Sequence, residues 1–271
     1  MPDYTGDLRG TRLTEADLTG ATLHKVRLND ARFRMVDLSG VVMRSVSLAG
    51  TAIDGELWEF EGLTINGVEV LPLVEAELLR RDPVRALLSP ADPAGLREAW
   101  AALERGWAAT YDRVATMPAA TAEISVEDEW SFVQTLRHLV FVTDGWLGAA
   151  EGAGGGFHPA GLPFTEIAEF MDRSVDLGID PDASPGYAEV LELRAGRAAR
   201  VRAFLADVSA EQLAREVNGP PWDAGEQLTV LRCLRVLLNE EYEHHRFAER
   251  DLDLIEAGNK PVEDRAPATA G

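Results

Sequence analysis

Two hydrophobic rhythms divide the chain. From Leu8 onward a large apolar residue stands at every fifth position: Leu8, Leu13, Leu18, Leu23, Leu28, Phe33, Leu38, Met43, Leu48 and Ile53. Two positions before these stand small or β-branched residues, among them Thr11, Ala16, Ala21, Val26, Ala31 and Val36. A period of five fits neither the helical repeat of about 3.6 residues nor the strand repeat of about 2. It fits a coil that turns a corner after every fifth residue, with one large and one small side chain per unit facing inward. Ala16-Asp17-Leu18-Thr19-Gly20 is a nearly ideal unit. Trp58, Leu63 and Val68 continue the phase, but Glu56, Glu61 and Asn66 before them do not fit an interior, so the repeat is expected to decay into a cap.

Beyond the repeat the spacing becomes helical. Asn66-Gly67 predicts a tight turn between two short strands. Pro72 opens a helix reaching about Arg81, which Asp82-Pro83 breaks. Asp92 is placed to cap the next helix, with Pro93 at its first position. Four amphipathic stretches follow, over about 93–116, 128–150, 186–207 and 226–257. The connection between the second and third runs from Gly152 to Pro185, long enough to return to the starting end. The third helix is then parallel to the second, and the order is up-down-down-up. A short helix is expected within the crossover, Phe164 to Asp172, and Ser209-Ala210-Glu211-Gln212 is a capping-box signature for another.

Composition narrows the function classes. Of 271 residues, 46% are apolar and 27% charged, which is ordinary for a globular protein. No apolar run reaches the roughly 18–20 residues of a membrane span, and Met1-Pro2-Asp3-Tyr4 lacks the basic and apolar regions of a secretory signal, so a cytoplasmic location is expected. The net charge of −20 argues against general nucleic-acid binding, which needs a basic stripe. The charge is uneven. Residues 1–54 carry seven basic and seven acidic residues, and the remainder 19 basic and 39 acidic. Cys233 is the only cysteine, which excludes an internal disulfide and a multi-cysteine zinc site.

Candidate chemistry concentrates on the second and fourth long helices. Glu241 and His245 are four residues apart, hence on one helical face, and they continue a stripe begun by Cys233 and Leu237. Glu240 and His244 form a neighbouring pair rotated by one residue. An inward carboxylate and imidazole need partners, because unpaired burial is costly. His138, within Leu136-Arg137-His138-Leu139-Val140, is the third group. Two neutral imidazoles and one carboxylate suit Zn²⁺, Ni²⁺ or Fe²⁺ and leave a position open for water or substrate. The alternative is a weak surface Glu–His salt bridge and a satisfied core histidine. His244 is the competitor of His245. Cys233 lies two turns from Glu241 and reads as a buried structural thiol. Trp107, Trp130 and Trp146 read as core or pocket walls, and Arg137, Arg235 and Arg246 as anchors for a carboxylate substrate or as surface charges. His158, on the glycine-rich crossover, is expected to belong to a lid rather than to bind metal.

Two resemblances sharpen this reading. Residues ~6–54 resemble the pentapeptide-repeat family, which implies a right-handed quadrilateral β-helix. Some long, acidic pentapeptide proteins mimic DNA, but here the repeat is short and neutral, so a docking appendage is the preferred role. Trp130-Ser131-Phe132-Val133-Gln134-Thr135-Leu136-Arg137-His138-Leu139 and Asn239-Glu240-Glu241-Tyr242-Glu243-His244-His245-Arg246-Phe247-Ala248 resemble the DinB-like superfamily of four-helix bundles. That resemblance implies a divalent metal held by one histidine on the second helix and a His-x-x-x-His pair on the fourth. Here Glu241 stands at the first place of that pair, as in the similar mycothiol-dependent maleylpyruvate isomerase branch. The implied ligands are His138, Glu241 and His245. The implied activity is that of a thiol S-transferase or isomerase, with mycothiol as co-substrate and an electrophile as second substrate. The alternative is a non-catalytic binding protein whose repeat docks a protein partner.

The expected fold class is thus mixed: a short quadrilateral β-helix with its cap over 1–70, a helical linker over 71–92, an all-α four-helix bundle over 93–258, and a disordered tail over 259–271. A homodimer is a further expectation, with no nucleic-acid or membrane partner.

Overall fold

The computed structural model describes residues 5–152, 156–165, 167, 175–223, 225 and 227–258. The chain divides into two units, Met1–Ile53 and Asp54–Gly271. Residues 54–70, read from the sequence as a cap on the repeat, fall in the second unit. The expected tail over 259–271 and most of the expected crossover helix lie outside the described residues.

In the first unit the backbone does turn every five residues. Gly10, Gly20, Asp30, Gly40 and Gly50 alternate with Glu15, Lys25, Met35 and Ser45, all at φ between 51° and 76°. Every second corner is closed by a hydrogen bond, such as Ala21 N–H to the Leu18 carbonyl at 2.9 Å. Asp17 and Asp37 tighten two of these corners by accepting from the backbone N–H of Thr19 and Ser39, each at 2.8 Å. The buried interior of a quadrilateral β-helix is not seen. Among the described residues 5–54 there is no strand and no backbone hydrogen bond beyond these turns. The residues expected to face inward, Leu8 to Ile53, are 46–66% exposed. Corners are local, each made within one five-residue unit. Burial needs ladder pairing between successive coils, and that pairing is missing.

The second unit is helical. It opens with a hairpin, β1 (Thr64–Ile65) and β2 (Val68–Glu69), around Asn66 and Gly67 at φ 51° and 80°. Both turn residues are left-handed, as a two-residue hairpin requires. Then come α1 (Leu71–Arg81), a 3-10 turn over Pro83–Leu87, and α2 (Pro93–Thr116). Asp92 caps α2 as expected, its Oδ1 accepting from Ala94 and Gly95 N–H at 2.9 Å each. The third element, α3 (Phe132–Glu151), starts later than the expected 128 because Ser131 and Gln134 form a reciprocal capping box. After the crossover come α4 (Tyr187–Asp207) and the short α5 (Ala210–Leu213), capped by Ser209 and Gln212. Residues 227–229, expected to be helical, instead form strand β4 (Gln227–Thr229), antiparallel to β3 (Glu216–Asn218). Thr229 then caps α6 (Val230–Glu256).

Side-chain contacts give the helix directions. Phe132 meets Tyr187 near the starts of α3 and α4, and Glu151 meets Arg200 near their ends, so these helices are parallel. Arg235 donates to the Pro90 carbonyl, while Arg113 bonds Glu249, Asp253 and Glu256, so α2 and α6 are parallel too. Arg97 near the start of α2 reaches the Leu205 carbonyl near the end of α4, so this pair is antiparallel. The order is up-down-down-up. Helix α3 is buried on nearly all sides, and at Gly145 it admits the Trp222 ring so closely that a Cβ would lie 2.4 Å from it.

Two apolar clusters fill the bundle. One uses α2 up to Leu103, α3 from Phe141, α4 from Val201 and α6 up to Tyr242. The other uses α2 from Trp107, α3 up to Leu139, Val190 on α4, and α6 from Ala248. Between them lies a polar layer that holds His138, Arg194, Glu240, Glu241, His244 and His245. No helix among the described residues is long and apolar enough to cross a membrane. Asp92→Ala should lower stability by ~1 kcal/mol, the usual cost of an N-cap. Urea unfolding should show a lower midpoint with an unchanged slope, and an unchanged midpoint would refute the role of the cap.

Candidate metal centre

His138 is fixed by the crossover. Arg137 donates from Nε to the Ala160 carbonyl at 2.9 Å, and Leu162 N–H donates to the Arg137 carbonyl. This lays residues 158–162 along α3. The His138 Nδ1–H then donates to the Leu162 carbonyl at 2.9 Å. With Nδ1 engaged, Nε2 is the free lone pair, the orientation a metal-binding imidazole needs.

That Nε2 faces α6. Glu240 Oε2 lies 3.8 Å from His138 Nε2 and 3.3 Å from His244 Nε2. The three ligand atoms of His138, Glu240 and His244 all lie within 4.8 Å of one another. Burial pushes the Glu240 carboxyl up, but hydrogen bonds and charge from the two imidazoles outweigh it and hold it at about 2. Burial pushes the His244 imidazole down, against the pull of Glu240. Trp130 packs on both rings, with centroids 4.7 Å from His138 and 6.0 Å from His244. An ionised carboxylate with two imidazole nitrogens, buried against an indole, fits a divalent cation by donor chemistry.

The structure does not bring Glu241 and His245 to His138. Glu241 is 0% exposed, as the stripe with Cys233 and Leu237 required, but it faces α4, where Arg194 Nη2 donates to its Oε2 at 2.7 Å. His245 faces α2, under Gly106 and edge-on to Trp107 at 4.8 Å, and its Nε2 pairs with the Thr110 hydroxyl at 2.7 Å. Successive residues on a helix point about 100° apart. Helix α6 touches all three other long helices, so a turn of one residue changes which neighbour a side chain meets. The pair meeting His138 is therefore Glu240 and His244, the rotated neighbours of the expected ones.

The other candidates also find places. Arg137, Arg235 and Arg246 fasten the chain: they donate to the carbonyls of Ala160, Pro90 and Gly55, and Arg246 also pairs with Glu243. His158 accepts from Ala160 N–H and stands apart from the cluster. Cys233 is buried, and burial pushes its thiol up to about 11, so it is an inert structural thiol. Trp107 and Trp146 are core residues. Glu56 is a functional candidate that the sequence pattern did not reveal. It is half-buried: burial raises its carboxyl, a hydrogen bond from Trp58 Nε1 opposes that, and the nearby Glu240 charge raises it further. No local periodicity marks it, because its neighbour Gly55 is tied to α6 by a long-range bond from Arg246.

A helical bundle with a partly buried His-Glu-His cluster is the class that this fold and site define. Comparison with protein families agrees: the DinB superfamily matches residues 102–248, and pentapeptide repeats, in 8 copies, match residues 7–44. The chain belongs to the DinB superfamily and carries an N-terminal run of pentapeptide repeats. Comparison with curated proteins and with solved structures found no match.

Glu241→Ala should cost about 3–5 kcal/mol, because it leaves Arg194 buried without its counter-ion. Replacing both Arg194 and Glu241 by Met should cost much less than Glu241→Ala alone. Chemical denaturation of the three proteins checks this; equal losses would mean that the pair is not coupled.

Proposed function

We propose that the protein is a divalent-metal-dependent enzyme acting on a small thiol, of the S-transferase or isomerase type, with His138, Glu240 and His244 as ligands. The observation that carries this reading is the approach of three donor atoms to within 4.8 Å of one another on buried His138 and partly buried Glu240 and His244. When bound, the metal would act as a Lewis acid that holds a thiol sulfur in its nucleophilic thiolate form at neutral pH. Zn²⁺ is the first choice for this donor set, with Ni²⁺ or Fe²⁺ as alternatives. The protein's own residues do the rest. The Leu162 carbonyl fixes the tautomer of His138. Trp130 closes one side of the two imidazoles against water. Glu240 supplies the negative charge, and Glu56 lies within reach of its field. A thiol of the mycothiol type is the expected co-substrate, and an electrophilic small molecule its acceptor.

One observation favours a second reading, a binding protein whose repeat docks a protein partner. The apolar side chains Leu8 to Ile53 stand exposed along the first unit.

Metal analysis separates the ligand sets. The purified protein should carry about one divalent ion per chain, and His138→Ala and His244→Ala should each weaken Zn²⁺ binding at least tenfold in equilibrium dialysis. His245→Ala should leave it unchanged. Loss in His245→Ala with retention in His244→Ala would restore the Glu241–His245 set. Function is tested with Co²⁺ in place of the native ion. Saturating small thiols should add a near-ultraviolet charge-transfer band; an unchanged spectrum would remove the chemical basis for the thiol reading and favour docking.

A further inference from the structure

Every described residue over 5–54 is exposed. Between Leu8 and Ile53 sixteen of them are large apolar side chains, 46–69% exposed. The main chain there makes corner bonds but no ladder bonds between successive units, which leaves main-chain groups open to pairing. Soluble monomers rarely expose a contiguous apolar patch of more than a few hundred Å². A run of sixteen half-exposed apolar side chains calls for a cover.

Charge and spacing select that cover. Residues 1–54 carry seven basic and seven acidic residues, and the rest of the chain 19 and 39. A partner drawn by charge would go to the acidic remainder and not to the repeat. Two copies of the chain repel through their acidic remainders, and the neutral repeat is the segment through which they meet without adding to that repulsion. Spacing points the same way. The apolar residues recur at every fifth position, whereas a helix repeats near 3.6 and a strand near 2. A helix or a strand would match the row over one or two units; a second copy matches it over all ten. Closure within one chain is a weaker solution. Ten units make about two and a half four-sided coils, and a stack so short leaves both ends bare. Sixteen apolar side chains per copy, with the small residues between them, match the roughly 20–30 residues that each partner gives to a stable interface.

We propose that the first unit is a self-association surface, on which the repeats of two copies of this chain cover each other's apolar side chains. A two-fold arrangement sets each row against its own counterpart and closes after two copies, so no open filament follows. The proposal is independent of the metal centre, and it commits the exposed repeat to a second copy rather than to a different protein.

The purified full-length protein, followed by sedimentation velocity over a micromolar range, should be a dimer that dissociates on dilution. Leu18→Asp combined with Leu28→Asp places two carboxylates in the apolar contact and should weaken the dimer at least tenfold, while the helical circular dichroism stays that of the parent. Phe33→Asp combined with Leu38→Asp repeats the test further along the row, so it survives if one variant folds poorly. Raising the salt screens the repulsion between the acidic remainders and should tighten the dimer. Amides between Leu8 and Ile53 should gain protection from hydrogen exchange as the concentration rises. A protein that stays monomeric across the range, whether or not another protein binds its repeat, overturns the proposal. So does a dimer that both paired variants retain, or a dimer that salt weakens. Protection that is equal in dilute and concentrated samples overturns it as well, because it would mean closure within one chain.

Discussion

The ion pair between Arg194 of α4 and Glu241 of α6 sets the rotation of the bundle's longest helix. Both side chains are buried between two apolar clusters, and neither charge can be left there alone. Once Glu241 turns toward α4, the other side chains of α6 have no freedom of direction. Glu240 and His244 fall toward α3 and meet His138, and His245 falls toward α2 and meets Thr110 and Trp107. The candidate metal centre and the Arg194–Glu241 pair thus lie on different sides of one helix, and both depend on the same rotation. Adjacent glutamates serve opposite purposes. Glu241 is neutralised by an arginine, whereas Glu240 stays ionised between two imidazoles and is available to a cation.

Loops and linkers serve the helices rather than carrying the chemistry. Residues 158–162 run along α3 and orient His138 through a carbonyl. The segment after α1 is held to α6 from two sides: Tyr242 donates to Asp82, and Arg85 pairs with Glu243 while lying over the Tyr242 ring. The Gly55 carbonyl is held by Arg246. Several carboxylates after residue 54 are thus paired within the fold with arginines that fasten one segment to another, while the excess of acidic over basic residues there stays uncompensated.

The first unit shows how far a strict repeat carries a structure. Its left-handed corners recur every five residues: Gly10, Gly20, Gly40 and Gly50 take them without a Cβ clash, while Glu15, Lys25, Met35 and Ser45 take them with no such ease. Stacking of coils is a different matter. It needs hydrogen bonds between residues about twenty apart in the sequence, and among the described residues these do not form. The exposed apolar rows that result are what gives the docking reading its weight.

Helix positions and caps were legible in the sequence because they are local: the apolar spacing over 93–116 and 186–207, the Asp92-Pro93 start and the Ser209–Gln212 box all act within a few residues. The long crossover likewise implied the parallel α3–α4 pair. The sequence also marked which segments carry the site, His138 on α3 and the Glu-Glu-x-Glu-His-His run on α6. It could not say which member of each adjacent pair meets His138. On a helix that touches three others, hydrophobic spacing defines an inward arc wide enough to hold both, and two residues about 100° apart can each be buried. Only the tertiary structure decided between them, through Arg194, a residue 47 positions away from Glu241 in the chain. The cost of leaving that charge unpaired, and not any local preference, selected Glu240 and His244 as the partners of His138.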